Sequence, residues 1–498
     1  MRWRTRQQQQ QQRHRWTTKA AVSGGRLTGA ALAVLACLVS VHAERHIHRF
    51  PSENPAWPLN HLAVHERTGA VYVGGVNRVY RLAGDLRLGR AHETGPARDN
   101  RDCYPPPMVE ACRREPAPTD NVNKLLLLDY AGDRLLACGS VYQGVCQLLK
   151  PDDLFKLGEP MHRSEHYLSS VNDSATMFGF VDESSGESVL FVGTPVGGKV
   201  DYFPTLSSRT LKRDAEDADM FGYVYHDEFV SSQLKIPSDT LSSFPGFDIY
   251  YVYGFQSGGF VYFLTVQPDT RKLSSDAERR SHFASKIVRL CEGDTHFYSY
   301  VELPIACVKD GVEYTLLEAA FTAPQGAGLA ASLGLDVTED VTLAVFSRDR
   351  RDRSSPPGDT ALCAFPLRDV NRRIRERIRD CYLGQGRLEL GWHIKKDIPC
   401  WYAPVKIEED FCGLDTNQPL GGLSRIEGVP LLAAEPGDGM TSVISYVHGN
   451  HTVVFAGTAG GSLKKAFGFQ AQGRIKARGL LGLQLTGLRQ LDDFQRFK

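Results

Sequence analysis

Four groupings of residues in this sequence have types and spacings that could do chemistry. His46 with His48, and His61 with His65, each put two imidazoles on one face of an extended segment, as a strand-borne metal site does. No nearby Cys, Asp or Glu completes either set, so neither a metal nor any other cofactor is expected. Gly326-Ala-Gly-Leu-Ala-Ala331 matches part of a dinucleotide fingerprint but follows Pro324 instead of a strand, which predicts a short Ala-rich helix. The third grouping is acidic: between Asp214 and Glu228, the carboxylates of Asp217, Asp219, Asp227 and Glu228 surround Phe221 and Phe229. Acidic groups steer a basic protein partner and an aromatic anchors it, so these six residues are the candidate ligand-binding set. The fourth is thiol chemistry, carried by eleven cysteines. The sequence has no Gly-x-Ser-x-Gly elbow, His-Glu-x-x-His or P-loop. It therefore reads as a binding protein, with a propeller hydrolase as the enzymatic alternative.

Those residues are carried by a recurring phrase of apolar run, glycines and second alternating run. Its cleanest copy is Val189 to Tyr202, read as two antiparallel strands. Further copies lie at Ala70 to Leu82, Arg134 to Leu148 and Val453 to Lys465. Gly74, Gly139, Gly193 and Gly258 are read as the turn positions of successive copies, spaced too widely for a compact repeat of ~40–45 residues. Four-stranded sheets with inserted loops, packed radially, bury both faces of each sheet, so the fold class is all-β, a propeller with about six recognisable blades. Val341 to Phe346 is expected to pair with Ala361 to Leu367, and Met440 to Tyr446 to precede the final copy. Leu367 to Ile378 places Val370, Ile374 and Ile378 at four-residue spacing among arginines, which predicts an amphipathic helix.

The 498 residues carry 58 basic and 58 acidic side chains. Seven of the basic ones fall in residues 1–43, which hold no acid, leaving 51 against 58 in the remainder. A mildly acidic body gives no footprint for nucleic acid. The apolar stretch Leu27 to Val41, ending Val41-His42-Ala43, predicts a signal peptide over residues 1–43, and no later segment reads as a membrane span. Export leaves ten cysteines, an even number that implies five disulfides. Cys138 and Cys146 sit on facing arms of one hairpin, within disulfide reach. Cys103 and Cys112 flank Pro105-Pro106-Pro107 as the ends of a stapled loop. Asn172-Asp-Ser174 and Asn450-His-Thr452 are glycosylation sequons, and Arg348-Asp-Arg-Arg351 is read as a solvated loop.

Asp120-Asn-Val-Asn-Lys-Leu-Leu126, Phe203-Pro-Thr-Leu-Ser-Ser-Arg209, Asp227-Glu-Phe-Val-Ser-Ser232, Lys235-Ile-Pro-Ser-Asp-Thr-Leu241 and Phe411-Cys-Gly-Leu-Asp-Thr-Asn-Gln-Pro-Leu-Gly-Gly422 resemble the type A plexins, in the family's order, over roughly residues 44–466. The resemblance implies a seven-bladed sema propeller and a cell-surface receptor for semaphorins in axon guidance, engaged together with a neuropilin co-receptor and by self-association. It implies the pairings Cys103–Cys112, Cys138–Cys146, Cys291–Cys412, Cys307–Cys363 and Cys381–Cys400. It also identifies Leu367 to Leu420 with the family's extrusion. A secreted semaphorin-like or growth-factor-receptor-like sema protein is the alternative. Residues 467–498 depart from the family pattern where a seventh blade is expected. The chain is accordingly expected to be an exported, truncated head, from a genuine product or an incomplete gene model, with Arg45 to Phe50 a strand lacking its partner.

Overall fold

A computed structural model describes residues 54–467 apart from short internal segments, chiefly 104–114, 198–202, 270–281, 349–356 and 394–397, together with the backbone of residues 481–484. The expected signal peptide over residues 1–43, Arg45 to Phe50, His46, His48 and Asp349 to Arg351 lie outside the described residues, as does most of the 467–498 tail.

The described residues build six successive blades, the fourth and fifth joined edge to edge in one ten-stranded sheet. The first joins β1 (Leu59–Val64), β2 (Val71–Gly75), β3 (Arg78–Leu82) and β4 (Leu88–Glu93), and a ribbon of β5 (Ala97–Asp99) and β6 (Ala117–Thr119) follows. The second has β7 (Asn123–Asp129), β8 (Arg134–Gly139) and β9 (Cys146–Leu149). The third has β10 (Phe178–Asp182), β11 (Val189–Gly193), β12 (Leu206–Thr210) and β13 (Gln233–Leu234), after which α1 (Ser238–Ser243) leads to the fourth. That blade comprises β14 (Tyr250–Ser257), β15 (Phe260–Pro268), β16 (Phe283–Cys291) and β17 (Val301–Lys309), with the short β18 (Val312–Tyr314) folded back on β17. In the fifth, β19 (Leu316–Pro324), α2 (Ala327–Ser332), β20 (Asp340–Ser347) and β21 (Thr360–Pro366) precede α3 (Leu367–Tyr382), a long excursion containing β22 (Leu420–Gly421), and the closing strand β23 (Ile426–Ala433). The sixth has β24 (Met440–His448), β25 (His451–Thr458), β26 (Ser462–Phe467) and β27 (Leu481–Gln484). The expected strands at Val341, Ala361 and Met440 and the helices at Ala327 and Leu367 all form.

The first strand of each blade packs against the first strand of the next, β1 on β7, β7 on β10, β10 on β14, β14 on β19 and β19 on β24. This arrangement explains the glycine phrase differently from a turn signal. Gly74, Gly139 and Gly193 do not adopt positive φ. A Cβ on Gly193 would lie 2.1 Å from the Tyr251 ring of the next blade, and one on Gly74 would lie 2.4 Å from Asn123 Oδ1. Gly74 and Gly193 mark close approach between neighbouring blades, and Gly139 a close approach to Asn121. Gly258, in contrast, is a turn residue: with Gly259 it has φ of 59° and 80° and closes the β14–β15 hairpin. The copy at Val189 is also corrected. Gly193 pairs with Leu206, so the second arm is β12 and not the run ending at Tyr202, whose last residues lie outside the described ones.

One disulfide staples the second blade and three lie in the fourth and fifth. Cys138–Cys146, Cys291–Cys412, Cys307–Cys363 and Cys381–Cys400 are all formed. Cys103 is also disulfide-bonded, while Cys112 lies outside the described residues. Helix α3 buries Val370, Ile374 and Ile378, the stripe its four-residue spacing predicts, and Cys381 and Tyr382 beyond it. Farther along the excursion, the indole of Trp392 stacks on Phe247 and donates Nε1–H to the buried Glu302 carboxylate at 3.2 Å. Lys286, Tyr300 and Gln267 donate to the same carboxylate, which offsets its desolvation.

Candidate functional site

The acidic segment leaves blade three at the end of β12 and returns beside it. Arg209, buried in β12, ties the middle of the segment to the strand. It donates Nη1 to the carbonyl oxygens of Phe221 at 3.2 Å and Glu165 at 3.3 Å, and its guanidinium stacks over the Tyr223 ring at 3.9 Å. Burial pulls the Arg209 pKa down from the usual arginine value. Full desolvation of a cation is tolerated here because carbonyls and a ring face replace water.

Within the loop, carboxylates shape tight turns. Asp214 Oδ1 accepts from the Glu216 N–H at 2.9 Å, and Asp217 Oδ1 from the Asp219 N–H at 2.8 Å. Asp219 is exposed and Asp217 half-buried. Phe221 departs from the sequence expectation: it is 3% exposed, with φ of 63°, and its ring meets His166 edge-on at 5.6 Å. Along with Met220 it joins the core around Cys138 and Cys146. Phe221 therefore fixes the loop from inside and is not a surface anchor.

The second half of the segment is a small rigid turn. Asp227 Oδ1 accepts from the Phe229 N–H at 2.8 Å and the Val230 N–H at 2.6 Å, and Oδ2 from the Tyr225 hydroxyl at 2.6 Å. The Tyr225 hydrogen bond, with the two backbone donors, holds the Asp227 carboxyl below its usual pKa. Tyr225 packs on His296 of the neighbouring blade, ring centroids 4.3 Å apart. Phe229 stands on this turn 87% exposed, flanked by the exposed Asp227 and Glu228. An apolar ring held outward by capped backbone, between two carboxylates, is suited to enter a pocket on a partner with a basic rim.

The structure adds a neighbour the sequence reading missed. A groove of about 610 Å³ runs beside the start of the acidic loop, lined by Arg134, Lys150, Phe155, Lys156, Arg213 and Glu216 among others. Phe155 is 67% exposed there. An aromatic just after the polar turn Pro151-Asp152-Asp153 was the available signal. Of the remaining candidates, Asn172 is exposed and its Oδ1 accepts from both the N–H and hydroxyl of Ser174. Asn450 is exposed in the turn between β24 and β25. His65 meets the Tyr130 ring edge-on at 5.1 Å, and no group of three or more His, Cys, Asp or Glu side chains gathers for a metal among the described residues. No helix among them is long and apolar enough to cross a membrane.

Comparison with known proteins agrees with this architecture. The Sema domain family matches residues 317–481. The chain is 57% identical to human Plexin-A3 over 408 residues and 54% identical to mouse Plexin-A2 over 418. These matches cover 82% and 84% of this chain but 22% of each relative, so the chain spans about a fifth of the length of the curated relatives it matches. The solved extracellular region of Plexin A4 superposes with a TM-score of 0.81 at 50% identity, over 84% of this chain and 36% of that one. Two Drosophila structures share the fold alone. Semaphorin 1a has a TM-score of 0.56 at 15% identity, covering 87% of this chain and 80% of that one. Plexin A in complex with Semaphorin 1b has 0.50 at 13%, covering 86% and 78%.

The sheets, their packing and these matches define a sema-type β-propeller. Identity above one half across most of the chain makes it similar to the corresponding region of the type A plexins.

Proposed function

We propose that this chain is the semaphorin-binding head of a plexin-like cell-surface receptor and works by protein recognition, without catalysis. The observation that carries the reading is Phe229, 87% exposed on a turn that Asp227 holds with two backbone hydrogen bonds. Asp217, Asp219 and Glu228 supply the charge around it. Much higher identity to plexins than to semaphorin supports a receptor head over a semaphorin-like ligand. Extracellular location, a neuropilin co-receptor and self-association follow from the same reading, with glycans at Asn172 and Asn450.

Surface plasmon resonance of the purified chain against semaphorin ectodomains tests the proposal. Saturable binding is expected, weakened tenfold or more by the double reversal Asp217→Lys with Asp219→Lys. Unchanged affinity in that variant removes the acidic loop from the contact. Absence of binding to every semaphorin class removes the function.

A further inference from the structure

Blade four carries a second feature, independent of the blade-three surface. A cavity of about 290 Å³ opens where the β14–β15 turn meets helix α3, lined by Phe260, Arg289, Arg368, Asn371 and Arg375, with two carboxylates, Glu409 and Asp410, at its side. Arg289 lies in β16, 4% exposed, with its guanidinium 4.1 Å from the centre of the Phe260 ring. It donates Nη1 to Asn371 Oδ1 at 3.1 Å, an oxygen that also accepts the Tyr262 hydroxyl at 2.8 Å. Among the described residues no carboxylate forms an ion pair with Arg289. Burial, reinforced by the neighbouring Arg375 cation, pulls its pKa down to about 10. A guanidinium taken out of water without a counter-ion, beside a second cation, is an unfavourable arrangement that a bound anion relieves.

The other donors are arranged for the same purpose. Arg368, Asn371 and Arg375 recur at three- and four-residue spacing along α3 and so share one helical face. Arg368 donates to the Gly334 carbonyl at 2.9 Å and pairs with Glu339 at 3.6 Å, so it lines the cavity without being counted in the cradle. Asn371 spends its carbonyl oxygen on Arg289 and Tyr262, and its amide N–H groups have no acceptor among the described residues. Arg375 is held at 2.7 Å by Glu409, whose side chain is 90% exposed and so easily displaced.

We propose that this cavity is an oxyanion-binding site. It takes a single tetrahedral sulfate- or phosphate-type group against Arg289, with Arg375 and the Asn371 amide completing the cradle and Glu409 competing for Arg375. The fork of N–H donors on a guanidinium matches such a group in geometry as well as charge. The volume is near the lower end of the ~300–1,000 Å³ range of small-molecule pockets, so the site suits one free anion or one esterified sugar ring.

Isothermal titration of the intact chain with sodium sulfate, against sodium chloride at equal ionic strength, tests this. Saturable heat is expected with sulfate and not with chloride. Arg375→Gln and Asn371→Ala are expected to weaken binding about tenfold, while Glu409→Gln tightens it several-fold by releasing Arg375. A second titration with galactose 6-sulfate separates the sources. Tighter binding than free sulfate assigns the site to a sugar-borne ester and equal binding to the free anion; both support it. The proposal is overturned if neither probe saturates, or if all three variants bind as the unaltered chain does. Should Arg375→Gln fold poorly, the gain expected in Glu409→Gln decides, because Glu409 is a solvent-facing side chain.

Discussion

The acidic loop is tied to blade two by a buried ion pair, and cutting that pair gives a quantitative test of how the candidate surface is held. Arg134 Nε lies 2.8 Å from Asp129 Oδ2, and the two side chains are 2% and 0% exposed. Asp129 also accepts from the Gly132 N–H at 3.1 Å and the Ser188 hydroxyl at 3.0 Å. Arg134 reaches across to blade three, donating to the Lys212 carbonyl and, at 3.3 Å, to that of Arg213, immediately before Asp214. Asp129→Ala leaves a fully buried guanidinium without its counter-ion, which costs about 3–5 kcal/mol. At ~2.1 cal/mol/K of unfolding entropy per residue, a unit of roughly 400 residues melting together loses about 4–6 °C. Circular dichroism with parallel urea titrations measures the loss, and semaphorin binding in the same variant reads the loop, whose first residues lose their anchor as Arg134 relaxes. Replacing both partners, Asp129→Leu with Arg134→Met, removes the uncompensated charge and is expected to recover most of the stability while leaving the loop unanchored. A loss below about 1 kcal/mol in Asp129→Ala, the size typical of an exposed pair, refutes the reasoning, as does a double variant no more stable than the single one.

The two phenylalanines of the segment should separate cleanly. Phe229→Ala weakens semaphorin binding by about 30-fold, from ~2 kcal/mol at a hot spot, without moving the melting temperature. Phe221→Ala instead lowers stability by about 3–5 kcal/mol, measured by urea unfolding. Asp248 is buried, accepts backbone N–H groups from Val196, Gly197 and Ile249, and burial pushes its pKa up to about 6 from an ordinary 3.8. A carboxyl whose folded pKa is raised binds its proton more tightly in the native state. Its contribution is therefore full below pH ~4 and lost as pH rises through about 6, a difference of about 3 kcal/mol. Urea midpoints of the native chain and Asp248→Asn between pH 4 and 7 should diverge by that amount, and parallel curves reject the assignment. Replacing Cys291 and Cys412 together by Ser opens a 121-residue connection and costs up to about 5 kcal/mol in the chain-entropy description. Opening Cys381–Cys400, 19 residues apart, costs about 3. Non-reducing thermal melts of the two variants give the order.

Much of the scaffold was legible because it is written in local patterns. Alternation at Val341 to Phe346 and Ala361 to Leu367 gives a hairpin whatever surrounds it, since one face of each strand must be buried. Four-residue spacing of Val370, Ile374 and Ile378 gives a helix for the same reason. Cys138 and Cys146 face each other in one hairpin register, so their pairing needs no knowledge of the wider fold. The acidic composition of Asp214 to Glu228 was equally visible. Three things were not, because each depends on what approaches from another blade. Gly193 reads as a turn until the Tyr251 ring is placed against it. Phe221 and Phe229 sit in similar acidic surroundings, yet the cluster around Cys138–Cys146 takes one inward, while the Asp227 turn turns the other out. Arg289 looks like an ordinary strand arginine until α3, folded in from the excursion inserted in blade five, sets Asn371 and Arg375 beside it. The sequence by itself determined repeating sheets, the helix and a cysteine count fit for an exported protein, all short-range consequences of periodicity and composition. Tertiary structure alone decided which charged and aromatic side chains are offered to a partner, because exposure is set by the packing of segments distant in the chain.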